Sequence, residues 1–418
     1  MIKHILTIIK NERKHNIGLW IELFIVSVFL WYIVDDVYVT LYNYNRPLGF
    51  DIEHTYIMHL GRLSEESNEY IQDIAVETGV SYLHTALERI AQNPMIEAAS
   101  ISQNSSPHIG SSNSFPLYRD TVHTRYPILS RVVTPGFFKV FRYKSVNGST
   151  DELVQALKRG ELVLSANVAN ELFEADESPV GKQVSFSESD STDLYRVGAI
   201  SDIVRYDNFS NWDYYFAQPM DNDFLERFTG EWVGSLEFCV RVKPEQDHDF
   251  IRRFREDMTQ QLRIGNYYLR DIQSIPASKT AFQKDDVNDL KIRLFVVLFL
   301  LVNIFLGVTG IFWFRTQHRC SEIGLRISLG DTSKQVLMKY YAEGLLLLTA
   351  AIIPSMIVIY ILGTQEILNY YLMKFTFSRY IIGFAITYIL LAVMIILGIW
   401  FPARKAVKVS PADALRDE

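Results

Sequence analysis

The sequence predicts a membrane protein with four transmembrane α-helices and a large extracytoplasmic α+β domain inserted between the first and second spans. Three observations carry this. Apolar residues gather into runs at 17–34, 294–314, 336–362 and 380–401, and about 20 mostly apolar residues suffice to cross about 30 Å of hydrocarbon. The region between the first two runs has none of that length and mixes strand and helix patterns. Lys and Arg cluster before the first run (Lys3, Lys10, Arg13, Lys14), after the second (Arg315, Arg319, Arg326, Lys334) and after the fourth (Arg404, Lys405, Lys408, Arg416). The positive-inside rule places all three clusters in the cytoplasm, so both termini lie inside and the middle region outside.

The elements follow in order. Residues 1–16 read as an amphipathic helix at the cytoplasmic membrane surface, with Ile2, Ile5, Leu6 and Ile9 on one face. A disordered basic tail is the alternative. Residues 17–42 form the first span. No small-residue cleavage site follows the apolar run, so it reads as a retained anchor rather than a signal peptide. Glu22 lies inside this span. An ionisable residue there marks function by default, but its place near the cytoplasmic end favours an interfacial salt bridge.

Residues 43–277 form the external domain. Strands are expected at 95–102, 126–133, 161–165, 235–243 and 266–275, and around the polar turn at 189–192. Helices are expected at 81–94, from Thr134-Pro135, at 166–173 and at 247–262. Ser278 is placed to cap a helix running through 278–314 as stalk and second span. It has no Gly or Pro before Asn303, though a break near Asp285–Asp289 is the alternative. Residues 315–335 form a cytoplasmic segment, 336–362 the third span with Pro354 inside, 363–379 a short external loop, 380–401 the fourth span and 402–418 a cytoplasmic tail.

The sequence has no GxxxxGK[ST] phosphate loop, no HExxH, no GxSxG and no Cys/His pair at metal spacing. No catalytic or metal residue is therefore assigned, and no cofactor is expected in this chain. A net charge of −7 argues against nucleic acid as partner. Cys239 and Cys320 fall on opposite sides of the membrane and cannot pair.

The charged segment has its own order. Glu322 and Arg326 are spaced i,i+4 in the favourable direction. Ile323 and Ile327 lie one turn apart. Gly330 is placed to stop the helix, Asp331 or Thr332 to cap the next, and Thr332 with Gln335 to form a capping box. In the tail, Pro402 ends or kinks the fourth span, Ser410 caps, and Pro411 takes the first helical position. Taken alone, both segments are equally readable as basic anchors of topology.

These residues resemble a family. "RTQHRCSEIGLRISLG" is similar to the R-x-x-E-I-G-[LI]-R-x-x-[LV]-G signature of MacB/FtsX-like ABC transporter permeases, through Arg319, Glu322, Ile323, Gly324, Leu325, Arg326, Leu329 and Gly330. "FPARKAVKVSPADALR" resembles that family's C-terminal pattern through Pro402, Ala403, Ala406, Pro411, Ala414, Leu415 and Arg416. "GELVLSANVANELFEADESPVGKQVSF" resembles a stretch of the family's external domain, with Phe173, Pro179 and Gly181 in place. Asp331 departs from the small residue usual after the turn glycine.

The resemblance implies a permease subunit of the mechanotransmission (type VII) kind in the bacterial inner membrane. A separate ABC ATPase dimer would bind ATP and Mg²⁺. A second permease, identical or paralogous, would complete the assembly, with lipid around it and an adaptor or lipoprotein outside. The segment 315–335 would be the coupling helix seated on the ATPase, and the external domain would move for export or extraction of a substrate. The other reading is a membrane-anchored sensor with an extracytoplasmic ligand-binding domain.

Overall fold

A computed structural model describes residues 13–188, 194–318, 328–365, 368 and 371–406. In chain order the elements are α1 (Arg13–Tyr44), β1 (Thr55–Arg62), α2 (Val76–Gln92), β2 (Ile96–Gln103), β3 (Asn113–Phe115), β4 (Tyr118–Arg119), β5 (Val122–His123), β6 (Ile128–Val133), α3 (Phe137–Val140), α4 (Thr150–Lys158), β7 (Leu162–Ser165), α5 (Ala166–Leu172), β8 (Gln183–Ser185) and β9 (Leu194–Ser201). Then come β10 (Tyr215–Pro219), α6 (Asn222–Glu226), β11 (Leu236–Val242), α7 (Phe250–Met258), β12 (Tyr267–Ser274), α8 (Ile275–Phe282), α9 (Lys284–His318), α10 (Ser333–Thr364) and α11 (Phe377–Ala406). The chain forms two compact units, 45–285 and the remainder.

The inserted unit is built on a mixed sheet ordered β12-β1-β11-β2-β6-β10-β7-β9-β8-β4-β5, with β3 beside β6. The β6–β10 and β7–β9 pairs are parallel and the others antiparallel. Helices cover both faces near its centre. Met58, Phe238 and Val240 pack with α2 and α7 on one side; Ile57 and Cys239 pack with α3 and α4 on the other. This explains a feature of β11. Its sequence alternates polar and apolar as if half-exposed, yet every residue is buried. The polar members are bonded instead: Glu237 accepts from Ser102 Oγ (2.6 Å) and Ser106 N (2.9 Å). Arg241 donates to the backbone oxygens of Val140, Glu53 and Asp51.

The other unit holds four helices long and apolar enough to cross a membrane, at Ile17–Tyr44, Lys284–Gln317, Ser333–Thr364 and Phe377–Lys405. On α9, Leu301, Ile304, Val308 and Phe312 form one buried stripe at helical spacing, while Phe295, Phe299 and Leu306 stay exposed. Glycines let the helices close up. A methyl on Gly344 would sit 2.6 Å from Ile399 Cδ1, and one on Gly398 3.1 Å from Val308 Cγ1.

Several boundaries differ from the sequence reading. The amphipathic helix expected over 1–16 lies outside the described residues as far as residue 12. Helix α8 starts at Ile275 rather than at a Ser278 cap, because Pro276 suits the first turn. The expected unbroken helix over 278–314 is interrupted at Gln283, whose side-chain amide donates to Asn208 Oδ1 at 3.3 Å. Phe282 is held there against Tyr206 and His108, with ring centroids 5.4 and 6.1 Å away. Pro402 does not end the fourth span: α11 continues to Ala406. Pro354 lies inside α10, which runs on past it.

Candidate functional site

The charged signature enters and leaves the four-helix unit through two described flanks. Arg319, Glu322, Ile323, Gly324, Leu325 and Arg326 lie outside the described residues, as do Pro411, Leu415 and Arg416.

At the entry, α9 does not stop at residue 314 but carries Arg315 and Thr316 inward as its last turn. Arg315 is therefore no solvated loop charge. A buried guanidinium needs a partner at contact, and Glu343 of α10 accepts from its Nη1 at 2.7 Å, with the two side chains 7% and 5% exposed. The guanidinium also sits over the Phe312 ring at 5.4 Å. Phe312 in turn meets Tyr340 of α10 edge-on. Beside this, Trp313 stacks on Phe401 at 5.8 Å, and Lys405 lies over the Trp313 ring at 4.6 Å. Pro402 and Ala403 are buried in the same end of α11.

At the exit, Leu329 is 79% exposed. Gly330 has φ +106, a left-handed value that its missing side chain makes cheap, so the chain turns there. Thr332 and Gln335 form the expected capping box: Gln335 N donates to Thr332 Oγ1 (3.4 Å), and Thr332 N to Gln335 Oε1 (2.7 Å). Asp331 is not the cap. Its carboxylate accepts from Lys339 Nζ, two turns along α10, at 2.7 Å. The residue that departs from the signature thus pairs with a lysine of α10.

The opposite end of the unit carries a second buried pair. Arg379 donates to both carboxylate oxygens of Asp35, at 2.8 and 2.6 Å, with both residues almost wholly buried. Arg293 reaches Asp36 at 2.5 Å. The sequence places Arg379 at the end of the expected 363–379 loop and gives Asp35 no assigned role. The available signal was the Asp35-Asp36 pair closing the first run, with an arginine at the matching end of the second and fourth. Glu22 has no basic partner among the described residues; the basic side chains of residues 1–16 and 319–327, on which the expected interfacial salt bridge would fall, lie outside them. It packs against α9 at Gly307, where a Cβ would lie 2.6 Å from its Oε1.

In the inserted unit, a buried polar group links two loops. Arg131 donates to Ser105 O (2.9 Å) and Asp213 Oδ2 (3.3 Å), and Gly110 N to Tyr206 Oη (2.8 Å). Burial pushes the Asp213 carboxyl up to about 6, with Arg131 opposing. Burial, then the nearby Lys279 charge, holds His108 down to about 4. Burial raises Glu237 despite the groups donating to it. Among the described residues no group of three His, Cys, Asp or Glu could hold a metal ion.

Two family models match the chain: a MacB-like periplasmic core domain over residues 51–254 and an FtsX-like permease C-terminal region over 294–411. The chain is 25% identical over 299 residues to the macrolide export ATP-binding/permease protein MacB of Salmonella paratyphi A, covering 68% of this chain and 43% of that protein. The match to the same-named protein of Salmonella typhi has the same identity and coverage. The chain thus spans less than half the length of these curated relatives. Among solved structures it resembles the periplasmic region of MacB from Actinobacillus actinomycetemcomitans, at 15% identity and TM-score 0.33, over 56% of this chain and 94% of that one. It also resembles the extracellular domain of the noncanonic ABC-type transporter YknZ from Gram-positive bacteria, at 13% identity and TM-score 0.29, over 51% of this chain and all of that one.

Proposed function

Because the chain belongs to the MacB/FtsX-like family of ABC transporter permeases, we propose that it is a membrane subunit that converts ATP hydrolysis in a separate ABC ATPase into movement of its external domain. It sits in the bacterial inner membrane with both termini in the cytoplasm. The ATPase dimer binds ATP and Mg²⁺, and a second permease, identical or paralogous, completes the complex. Residues 315–335 dock on the ATPase, with Ile323 and Leu325 as apolar anchors and Arg319, Glu322 and Arg326 as polar contacts. The described exit adds Leu329, an exposed apolar side chain beside the Gly330 turn. Helix α9 and the segment before it carry the movement outward, where it drives export or extraction of an extracytoplasmic substrate.

The observation that carries this reading is the charged signature within the matched permease region. The test is affinity purification of the tagged full chain from membranes of its source, followed by ATPase assay. An ABC ATPase at about equal stoichiometry, lost on joint replacement of Glu322, Arg326 and Gly330, is the expected result. Recovery of the chain without any ATPase would sink the proposal and leave the sensor reading. ATPase association that survives the triple replacement would remove the docking role from 315–335.

A further inference from the structure

The inserted unit buries one imidazole among rings rather than among hydrogen-bonding groups. His108 is 3% exposed, and among the described residues neither of its ring nitrogens has a hydrogen-bond partner. Phe50, Tyr206 and Phe282 surround it, with centroids 6.4, 6.1 and 6.1 Å away. A neutral imidazole tolerates such a cage. An imidazolium carries two N–H donors and is costly to bury unless acceptors meet them.

The groups around the cage supply no such acceptor. Burial holds His108 neutral first, and the charge of Lys279, one turn before Phe282 on α8, adds repulsion. Asp207, beside Tyr206, attracts a proton to the ring, but its Oδ1 already accepts from the Phe209 and Ser210 amides. Behind Phe50, Asp51 is taken up by Arg241 and Arg142. Farther along the loop of Tyr206, Arg205 donates to the backbone oxygens of Pro47 and Arg46, and Asp213 faces Arg131. The loop of His108 itself, residues 105–110, has no other titratable side chain.

The three walls are held unequally. Phe50 stacks on the buried Tyr143 at 5.5 Å. Tyr206 accepts from Gly110 N at 2.8 Å. Phe282 is 37% exposed and is the last residue of α8, next to the interruption at Gln283, so it is the wall that can swing outward. We propose that His108 is an acid-sensitive latch: neutral, it holds Phe282 and the end of α8 in place, and protonated it releases them so that its ring reaches water. The latch reads the pH on the inserted domain's own side of the membrane and needs no ATPase, so it stands whether or not the docking reading does. A released His108 binds its proton with ordinary affinity and a latched one weakly. The latch is therefore closed above 6.5 and opens as pH falls toward about 4. Over that whole span the opening equilibrium shifts by about 300-fold.

The experiment uses the full chain in nanodiscs with one spin label at a time. Ala277→Cys, exposed on α8, reports the latch, and Gln155→Cys, exposed on α4, reports the rest of the domain. Both carry Cys320→Ser, while Cys239 is buried and stays. The ratio of mobile to immobile signal at 277 is expected to rise at least tenfold between pH 6.5 and 4.0, with that at 155 changing less than twofold. His108→Phe, which keeps the cage filled, should hold the ratio at 277 within twofold over the same range. Since that variant can fail to fold, Lys279→Gln gives an independent test: removing the repelling charge should cut the rise at least twofold. A constant ratio at 277 in the wild-type chain, an equal rise at 155, or an undiminished rise in Lys279→Gln or in folded His108→Phe would overturn the latch.

Discussion

The four-helix unit and the inserted domain both bury charged groups, but among the described residues they neutralise them differently. In the four-helix unit Asp35 meets Arg379 and Glu343 meets Arg315 at direct contact. In the inserted domain the partners are spread out. Glu237 relies on a hydroxyl and two backbone amides, Arg241 largely on backbone oxygens, and Asp213 on a longer contact to Arg131 and the Tyr206 backbone. The difference teaches what each solvent permits. Hydrocarbon supplies no water or spare backbone donor, since helical backbone groups are already paired, so a buried charge there needs a full opposite charge. A sheet with loops at its edges has free amides to offer, and its weakly compensated groups shift their titration instead.

The largest test of this contrast breaks a contact pair. Glu343→Ala takes the contacting carboxylate from the buried Arg315 and should destabilise the full chain by about 3–5 kcal/mol, whereas Arg315→Met/Glu343→Leu should be within about 1–2 kcal/mol of wild type. Thermal unfolding in micelles decides; equal losses in the single and double variants would show that the pair is not acting as a pair.

Next in size is the pH response of the inserted domain. Asp213 is raised from 3.8 to about 6, so its contribution to stability is present below about pH 4 and is lost as pH rises through 6. His108 is lowered from 6.5 to about 4, so its contribution is present above 6.5 and is lost as pH falls through 4. The two slopes oppose each other between about pH 4 and 6. Asp213→Asn should leave the His108 slope alone, giving stability that climbs by up to about 3 kcal/mol over that window. Near-UV circular dichroism melts from pH 4.0 to 6.5 measure it, and a flat profile in the variant contradicts the assignment.

Smaller still is Gly307→Ala. The added methyl meets only the carboxylate end of Glu22, which can swing aside, and should cost about 1 kcal/mol, a loss that Glu22→Ala in the same chain should relieve. The smallest is Lys339→Met. Its partly exposed pair with Asp331 should change the melting free energy by no more than about 1 kcal/mol. A stability loss as large as that of Glu343→Ala would erase the distinction between buried and half-exposed pairs.

The sequence made the four spans and the inserted α+β domain legible, because apolar length and charge placement are local signals. The Gly330 turn and the Thr332–Gln335 capping box were legible for the same reason, since each depends on residues within one turn. Strands β1 and β10 escaped notice. "TYIMHLGR" is buried on both faces in part and lacks clean alternation, and "YFAQP" is short and ends in proline. The ion pairs escaped for a different cause. Asp35 and Arg379 are 344 residues apart, and only the packing of α1 on α11 brings them together. Arg315 falls in the expected cytoplasmic segment because composition shows where an apolar run stops, not where the helix does.

Strand β1 carries one more consequence, in time rather than space. Its two neighbours are β11 and β12, which begin at residues 236 and 267, while β1 itself ends at residue 62. At a synthesis rate of about 5–20 residues per second, β1 exists for about 10–35 s before β11 begins to be made. Throughout that interval both of its edges are bare, because β11 is what joins it to β2 and the rest of the sheet. The β1 end of the sheet therefore cannot be completed until the last two strands have been made.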